Sequence, residues 1–210
     1  MENVTMHSLI FRQFILLVIT VGYLSTSEAK TYALVADRLI DGKANNVLQD
    51  KAVIVTGNQI TAIINIDHIP KDAIKIDLPG TTLMPGMINA HEHPLLYKSD
   101  YQNAHLQASS AYKALLGLKN LQRLLRAGWT TIRVMGDGDV YYANQDIRKV
   151  IDSGVFIGPR LTGAAHYISI TGGGGDVNYF SPEQTVIADG LIADGPDEIR
   201  KAIRKEIKYG

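Results

Sequence analysis

The sequence predicts an α/β protein in which a small β-rich segment leads into strands that alternate with helices. Three observations carry this reading. Between Thr31 and Ile66, short runs rich in Val, Ile, Thr and Tyr are separated by turn residues, the pattern of strands. Beyond Thr81, strand-like runs alternate with segments whose apolar residues recur at helical spacing, which implies βαβ units and a parallel sheet. Between the two regions stand Pro70 and the Pro79-Gly80 pair, which place a domain boundary near Thr81.

Each element has its own signal. Residues 32–36, 51–56 and 59–64 read as strands of a small antiparallel sheet. Gly57-Asn58 joins the last two as a two-residue type II′ hairpin, because glycine tolerates the positive φ that this turn requires. Residues 82–90 form the next strand, and residues 109–127 a helix with Leu115, Leu118, Leu121, Leu124 and Leu125 on its apolar stripe and Gly128 as its stop. A strand at residues 130–134, a helix at 144–153 and a strand at 160–165 follow. Residues 197–209 form a helix, with Pro196 at its first turn and Asp197 and Glu198 near its positive end. Gly172 to Gly175 is the one low-complexity patch, and it lacks the Gly-Lys-Ser or Gly-Lys-Thr ending of a phosphate loop. A mobile active-site loop is the more economical reading.

With 46% hydrophobic and 20% charged residues, the 210-residue chain has ordinary globular composition, which argues against global disorder or coiled coil. Twenty-one basic and 21 acidic residues cancel, so no net field draws the chain to nucleic acid or an anionic membrane. The absence of cysteine excludes disulfides and thiolate metal sites, leaving nitrogen and oxygen ligands. Residues 1–29 have the layout of a secretory signal peptide: Arg12, an apolar run over residues 14–24, then Ser27 and Ala29 before a cleavage point at Lys30. The expected mature protein is periplasmic or secreted, with no stable membrane association after cleavage. An uncleaved N-terminal anchor is the competing reading.

The strongest chemical signal is Leu83-Met84-Pro85-Gly86-Met87-Ile88-Asn89-Ala90-His91-Glu92-His93-Pro94, an apolar strand ending in His-x-His. Strand side chains alternate faces, so His91 and His93 point the same way and Glu92 the opposite way. Two neutral imidazoles with Cα atoms roughly 6 to 7 Å apart can converge on one divalent ion. In the first strand of a (β/α)₈ barrel, this pair sits at the C-terminal end, where such barrels place their active sites.

These residues, together with Ala127-Gly128-Trp129-Thr130-Thr131-Ile132-Arg133, Gly158-Pro159-Arg160, Thr171-Gly172-Gly173 with Asp176, Asp194-Gly195-Pro196-Asp197-Glu198-Ile199-Arg200 and Ile207-Lys208-Tyr209-Gly210, resemble the amidohydrolase superfamily, in particular its imidazolonepropionase-like and Xaa-Pro dipeptidase-like (prolidase-like) branch. The resemblance implies a β-sandwich subdomain over residues 30–81, followed over residues 82–210 by the first three β/α units of a metal-dependent hydrolase TIM barrel, truncated before the fourth strand. It implies that His91 and His93 are the first two metal ligands. A carboxylated lysine, two histidines and an aspartate on later strands would complete the site. Lys208 is not that lysine; it lies in the helix before the fourth strand and acts as a C-terminal helix cation.

The implied activity of the full-length parent is metal-dependent hydrolysis of C–N bonds in small substrates such as dipeptides, with metal-activated water as nucleophile and zinc, as one or two ions, the expected metal. The alternative, expected for the 210-residue chain by itself, is a non-catalytic fragment or binding remnant lacking the other ligands. The expected partner is a small molecule or dipeptide, not nucleic acid, and a homo-oligomer is open. His166, at the end of the third barrel strand, is a substrate-side candidate, with a structural role as the competing reading. Arg133 and Asp137 flank the end of the second barrel strand; an ordinary ion pair is the default expectation, and a role in orienting ligands is the competing reading. Gly174 stands where relatives often carry a histidine near the substrate. His105 is read as a surface residue, and Tyr141 and Tyr142 as packing residues. No catalytic residue is assigned.

Overall fold

A computed structural model describes residues 29–43 and 45–210; the expected signal peptide, residues 1–29, lies outside the described residues apart from Ala29. The fold is α/β, in two compact units that divide between Pro85 and Gly86. No helix among the described residues is long and apolar enough to cross a membrane.

The first unit is a four-stranded sheet in the order β3-β2-β1-β4, from β1 (Thr31–Leu39), β2 (Lys51–Thr56), β3 (Gln59–Asn65) and β4 (Ile74–Leu83). β1 and β2 are antiparallel with Tyr32 opposite Val55, and Thr56 faces Gln59 across the expected two-residue hairpin, where Gly57 has φ of 61°. Ala33, Ala52 and Ile54 form the buried centre, with Val35, Ala62 and Ile64 packed around them. β4 corrects the sequence reading: Pro79-Gly80 does not break the chain but sits inside a strand parallel to β1. The pairing steps from Ala36–Leu78 to Arg38–Thr82, so residues 79–81 oppose Asp37 alone. Proline has no N–H to offer the ladder, and a bulge on an edge strand removes the need for one. The Asp37 carboxylate accepts the Gly80 N–H instead (3.0 Å).

The second unit is built on a three-stranded parallel sheet, β5 (Met87–Glu92), β6 (Trp129–Met135) and β7 (Arg160–Ala164), in that order, and no closed barrel forms among the described residues. The single strand expected over residues 82–90 is two, split at Met84-Pro85-Gly86, where proline interrupts the ladder. Two helices cover one face: α2 (Ser110–Arg126) and α3 (Ala143–Asp152). Leu95, Leu121, Ile132, Ala143, Ile147 and Leu161 interlock there as one core. A short helix, α1 (Tyr101–Gln107), precedes α2 and has no counterpart in the sequence reading. Its His105 is 8% exposed, not a surface residue, because α1 turns Ala104 and His105 inward. A two-residue parallel ladder joins β8 (Ile168–Ser169) to β9 (Leu191–Ile192), and the chain closes with α4 (Pro196–Tyr209).

Ser109 caps α2 by accepting the Tyr112 N–H (3.2 Å), which satisfies one of the donors left free at a helix start. Ser109→Ala is expected to lower stability by about 1 kcal/mol, read as a shift in urea midpoint at unchanged slope.

Candidate functional site

Pleating sets the geometry at the end of β5. His91 and His93 lie two residues apart, so both rings fall on one side: their Nε2 atoms are 3.1 Å apart and the ring centroids 5.0 Å, edge to face. Two nitrogens about 2.0–2.1 Å from one tetrahedral ion stand about 3.3 Å from each other, so the pair has the spacing of two ligands sharing a metal. The same spacing also serves a ring-to-ring hydrogen bond, according to tautomer.

The strand end is braced locally and across the sheet. Glu92 accepts from the Asn89 amide (2.6 Å) and from the His93 N–H (3.1 Å), while the Asn89 side-chain oxygen accepts the His91 N–H (3.1 Å). His93 Nδ1 lies 2.6 Å from the carbonyl oxygen of Gly136, just beyond β6. A carbonyl only accepts, so Nδ1 carries the proton and the Nε2 lone pair is left facing His91. One residue on, Asp137 is fully buried and receives the Leu95 N–H on both carboxylate oxygens (3.1 and 3.2 Å). Burial pushes its pKa well above the ordinary carboxylate range, against the opposing pull of the Leu95, Gly138 and Asn144 hydrogen bonds. The ion pair expected between Asp137 and Arg133 does not form: Arg133 is exposed on β6, Asp137 is buried, and no ion pair among the described residues joins the two.

His166 is turned inward. Its side chain is buried, with Nδ1 2.7 Å from Glu206 Oε1 on α4 and the ring edge-on to Tyr142 at 4.5 Å. It makes no hydrogen bond to His91 or His93. Glu206 also accepts the Ala165 and His166 N–H groups and the Tyr142 hydroxyl. Burial raises its pKa, but these hydrogen bonds outweigh that effect and hold it below the ordinary value. Tyr142 packs as expected, on His166 and Tyr209, whereas Tyr141 is 67% exposed. Lys208 stays at the end of α4, over the Tyr209 ring.

Beside His93 opens a cavity of about 530 Å³ walled by Leu96, Tyr101, Tyr167 and Ile168, with Gly174 and Gly175 on its rim. A Cβ at position 174 would meet nothing within 4 Å. The Tyr167 hydroxyl has its pKa raised, first by burial and then by the neighbouring Asp189 carboxylate. Glu206, Tyr101 and Tyr167 were not picked out from the sequence; no local pattern distinguishes them from ordinary helix and loop residues. Among the described residues, no group of three or more His, Cys, Asp or Glu side chains is placed to hold a metal, so the described donor set is the His91–His93 pair.

The profile of the amidohydrolase family matches residues 82–210. This chain belongs to the amidohydrolase family. The composite domain of the NagA type matches residues 31–83. Ochratoxinase from Aspergillus niger is 25% identical over 206 residues, covering 89% of this chain and 42% of that protein. Among solved structures, a prolidase complexed with N-methylphosphonate-L-proline superposes with a TM-score of 0.72 at 25% identity, over 86% of this chain and 45% of its own. A Xaa-Pro dipeptidase with methionine bound in its active site gives 0.68 at 28% identity, again over 86% and 45%. The chain thus has the fold of the N-terminal part of amidohydrolase barrel proteins and spans less than half the length of these relatives.

Proposed function

We propose that this amidohydrolase cleaves C–N bonds of small substrates such as dipeptides, with His91 and His93 as two ligands of a divalent metal, zinc being the expected ion. The observation that carries the reading is the His91–His93 Nε2 separation of 3.1 Å, combined with the Gly136 carbonyl that keeps the His93 proton on Nδ1. A bound ion would supply an acidified water and a polarised substrate carbonyl. The protein's part is to present two lone pairs at fixed spacing, to hold the strand end through Asn89 and Glu92, and to offer the aromatic-walled cavity beside His93 for the substrate. The prolidase and dipeptidase neighbours favour amino-acid-like substrates. Gly174 leaves room at the cavity rim, which favours substrates bulkier there than a histidine would admit.

Zinc titration of the 210-residue chain by calorimetry tests the metal reading. His91→Ala and His93→Ala are each expected to weaken binding at least tenfold, since one remaining imidazole leaves nearly the whole coordination sphere to water. Equal zinc affinity in the wild type and both variants would remove the pair from the metal site.

A second reading has its own support: among the described residues no third ligand group joins the pair. By this reading the chain in isolation holds metal weakly and does not turn over, and rapid zinc-dependent hydrolysis of dipeptides by the purified chain would overturn it. Export is a further proposal, resting on the layout of residues 1–29. N-terminal sequencing of the protein from the periplasm or medium should begin at Lys30; an intact Met1 form confined to membranes would mark an anchor instead.

A further inference from the structure

We propose that Lys113 is a positioning residue for the metal pair: through Asp139 and Gly138 it locks the 136–139 loop, and the loop in turn fixes the tautomer and direction of His93. This inference rests on the reading of His91 and His93 as ligands.

Lys113, on α2, is 3% exposed. A buried ammonium is costly unless every proton is matched, and it has three donors and no acceptor. Its Nζ donates to Gly138 O at 2.9 Å, lies 2.9 Å from His105 Nδ1, and pairs as a charge with Asp139 Oδ1 at 3.3 Å. His105 Nδ1 lies equally close to Gly138 O, at 2.9 Å, so the imidazole and the ammonium meet at the same carbonyl. The second Asp139 oxygen accepts from Ser110 Oγ (2.9 Å) and from the Tyr141 and Ala143 N–H groups (3.2 and 3.0 Å), joining the loop to the starts of both α2 and α3.

Four consecutive residues after β6 therefore divide into two grips. Gly138 and Asp139 hold α2 through Lys113, and Gly136 and Asp137 hold the extension of β5 through His93 Nδ1 and the Leu95 N–H. Releasing the first grip frees the loop that forms the second. Groups that orient a metal-binding histidine through its other nitrogen commonly change metal affinity tenfold to a hundredfold. Lys113 acts one step further out and touches neither ring, so about tenfold is the expected size.

The test compares the 210-residue chain with Lys113→Met, and with the double variant Lys113→Met/Asp139→Asn, which removes both charges and so keeps a folded protein where the single variant leaves Asp139 stranded. The readouts are the ¹⁵N shifts of the His93 ring in the metal-free protein and the affinity for zinc chloride. Wild-type His93 should be the Nδ1–H form; the variants should show a mixture of tautomers and roughly tenfold weaker zinc binding. Ile54→Ala, in the buried centre of the first unit, should lower that unit's stability and leave the His93 shifts unchanged. Wild-type tautomer and zinc affinity in the folded double variant would overturn the inference. If the wild type binds no zinc, the metal reading fails, while the ring shifts still decide whether Lys113 controls His93.

Discussion

Gly163→Ala is expected to destabilise the second unit by several kcal/mol, with the melting temperature falling by about 10 °C or more. An alanine Cβ at this position on β7 would lie 1.9 Å from the Val134 carbonyl oxygen and 2.9 Å from its carbon, both backbone atoms of β6. No side chain can swing away to relieve that clash, so the two strands must separate or shift register. Gly163 also has φ of 102°, which an L side chain adopts only under strain. The two costs act on the ladder that pairs Ile132 with Leu161, both core residues. Gly154→Ala is the control: its φ is 74° but nothing stands within 4 Å of the added Cβ, so only the strain of about 1 kcal/mol remains. Thermal unfolding followed by circular dichroism separates the two, and similar melting temperatures for both variants would show that β6 and β7 do not pack this closely.

Glu206→Ala is expected to cost about 3–5 kcal/mol. The carboxylate is largely buried and is the common acceptor for four donors: the Ala165 and His166 N–H groups (3.0 Å each), His166 Nδ1 (2.7 Å) and the Tyr142 hydroxyl (3.0 Å). Its removal strands all four at the junction of β7, α3 and α4. The pH dependence carries a definite sign. Because the folded-state pKa lies below the ordinary 4.5, the unfolded chain binds the proton more readily. The contribution of Glu206 is complete above that value and is lost as pH falls through the lower folded-state pKa. Asp137, with its pKa raised by burial, runs the other way: protonation favours its folded form, and its cost grows as pH rises above 3.8. The difference between wild type and Glu206→Gln removes the Asp137 contribution common to both. In urea titrations that difference should be largest near neutral pH and shrink below about pH 4.5; a gap independent of pH from 3 to 7 would show that Glu206 is not held as the charged acceptor.

Elements that carry their own period could be read directly from the chain. The leucine-rich spacing of α2, the β-rich runs joined by Gly57-Asn58 in β2 and β3 and the proline at the start of α4 are local signals, and the structure places helix or strand accordingly. β4 was not legible because its defining contact, Asp37 with Gly80, spans 43 residues and turns an apparent breaker into a bulge. α1 is seven residues long, too short to show a stripe, and so His105 and its burial were missed. The site divides in the same way. His91 and His93 stand out because strand pleating alone brings them together, whereas the groups that brace them lie 43 residues away at Gly136 and 42 away at Asp137. A backbone carbonyl carries no residue identity, so no inspection of side-chain types could single out Gly136.

The spacing of His91 and His93 along one strand has a consequence for how a metal would be acquired. An ion bound to one imidazole has the second tethered beside it at high effective concentration, with only one intervening residue and no loop to close. On the proposed reading the pair acts as a chelate set by local chain geometry, resting on β5 and its neighbour β6. On the proposed reading, metal capture begins there, and any further ligand is recruited to an ion already in place; the order of assembly follows from strand pleating.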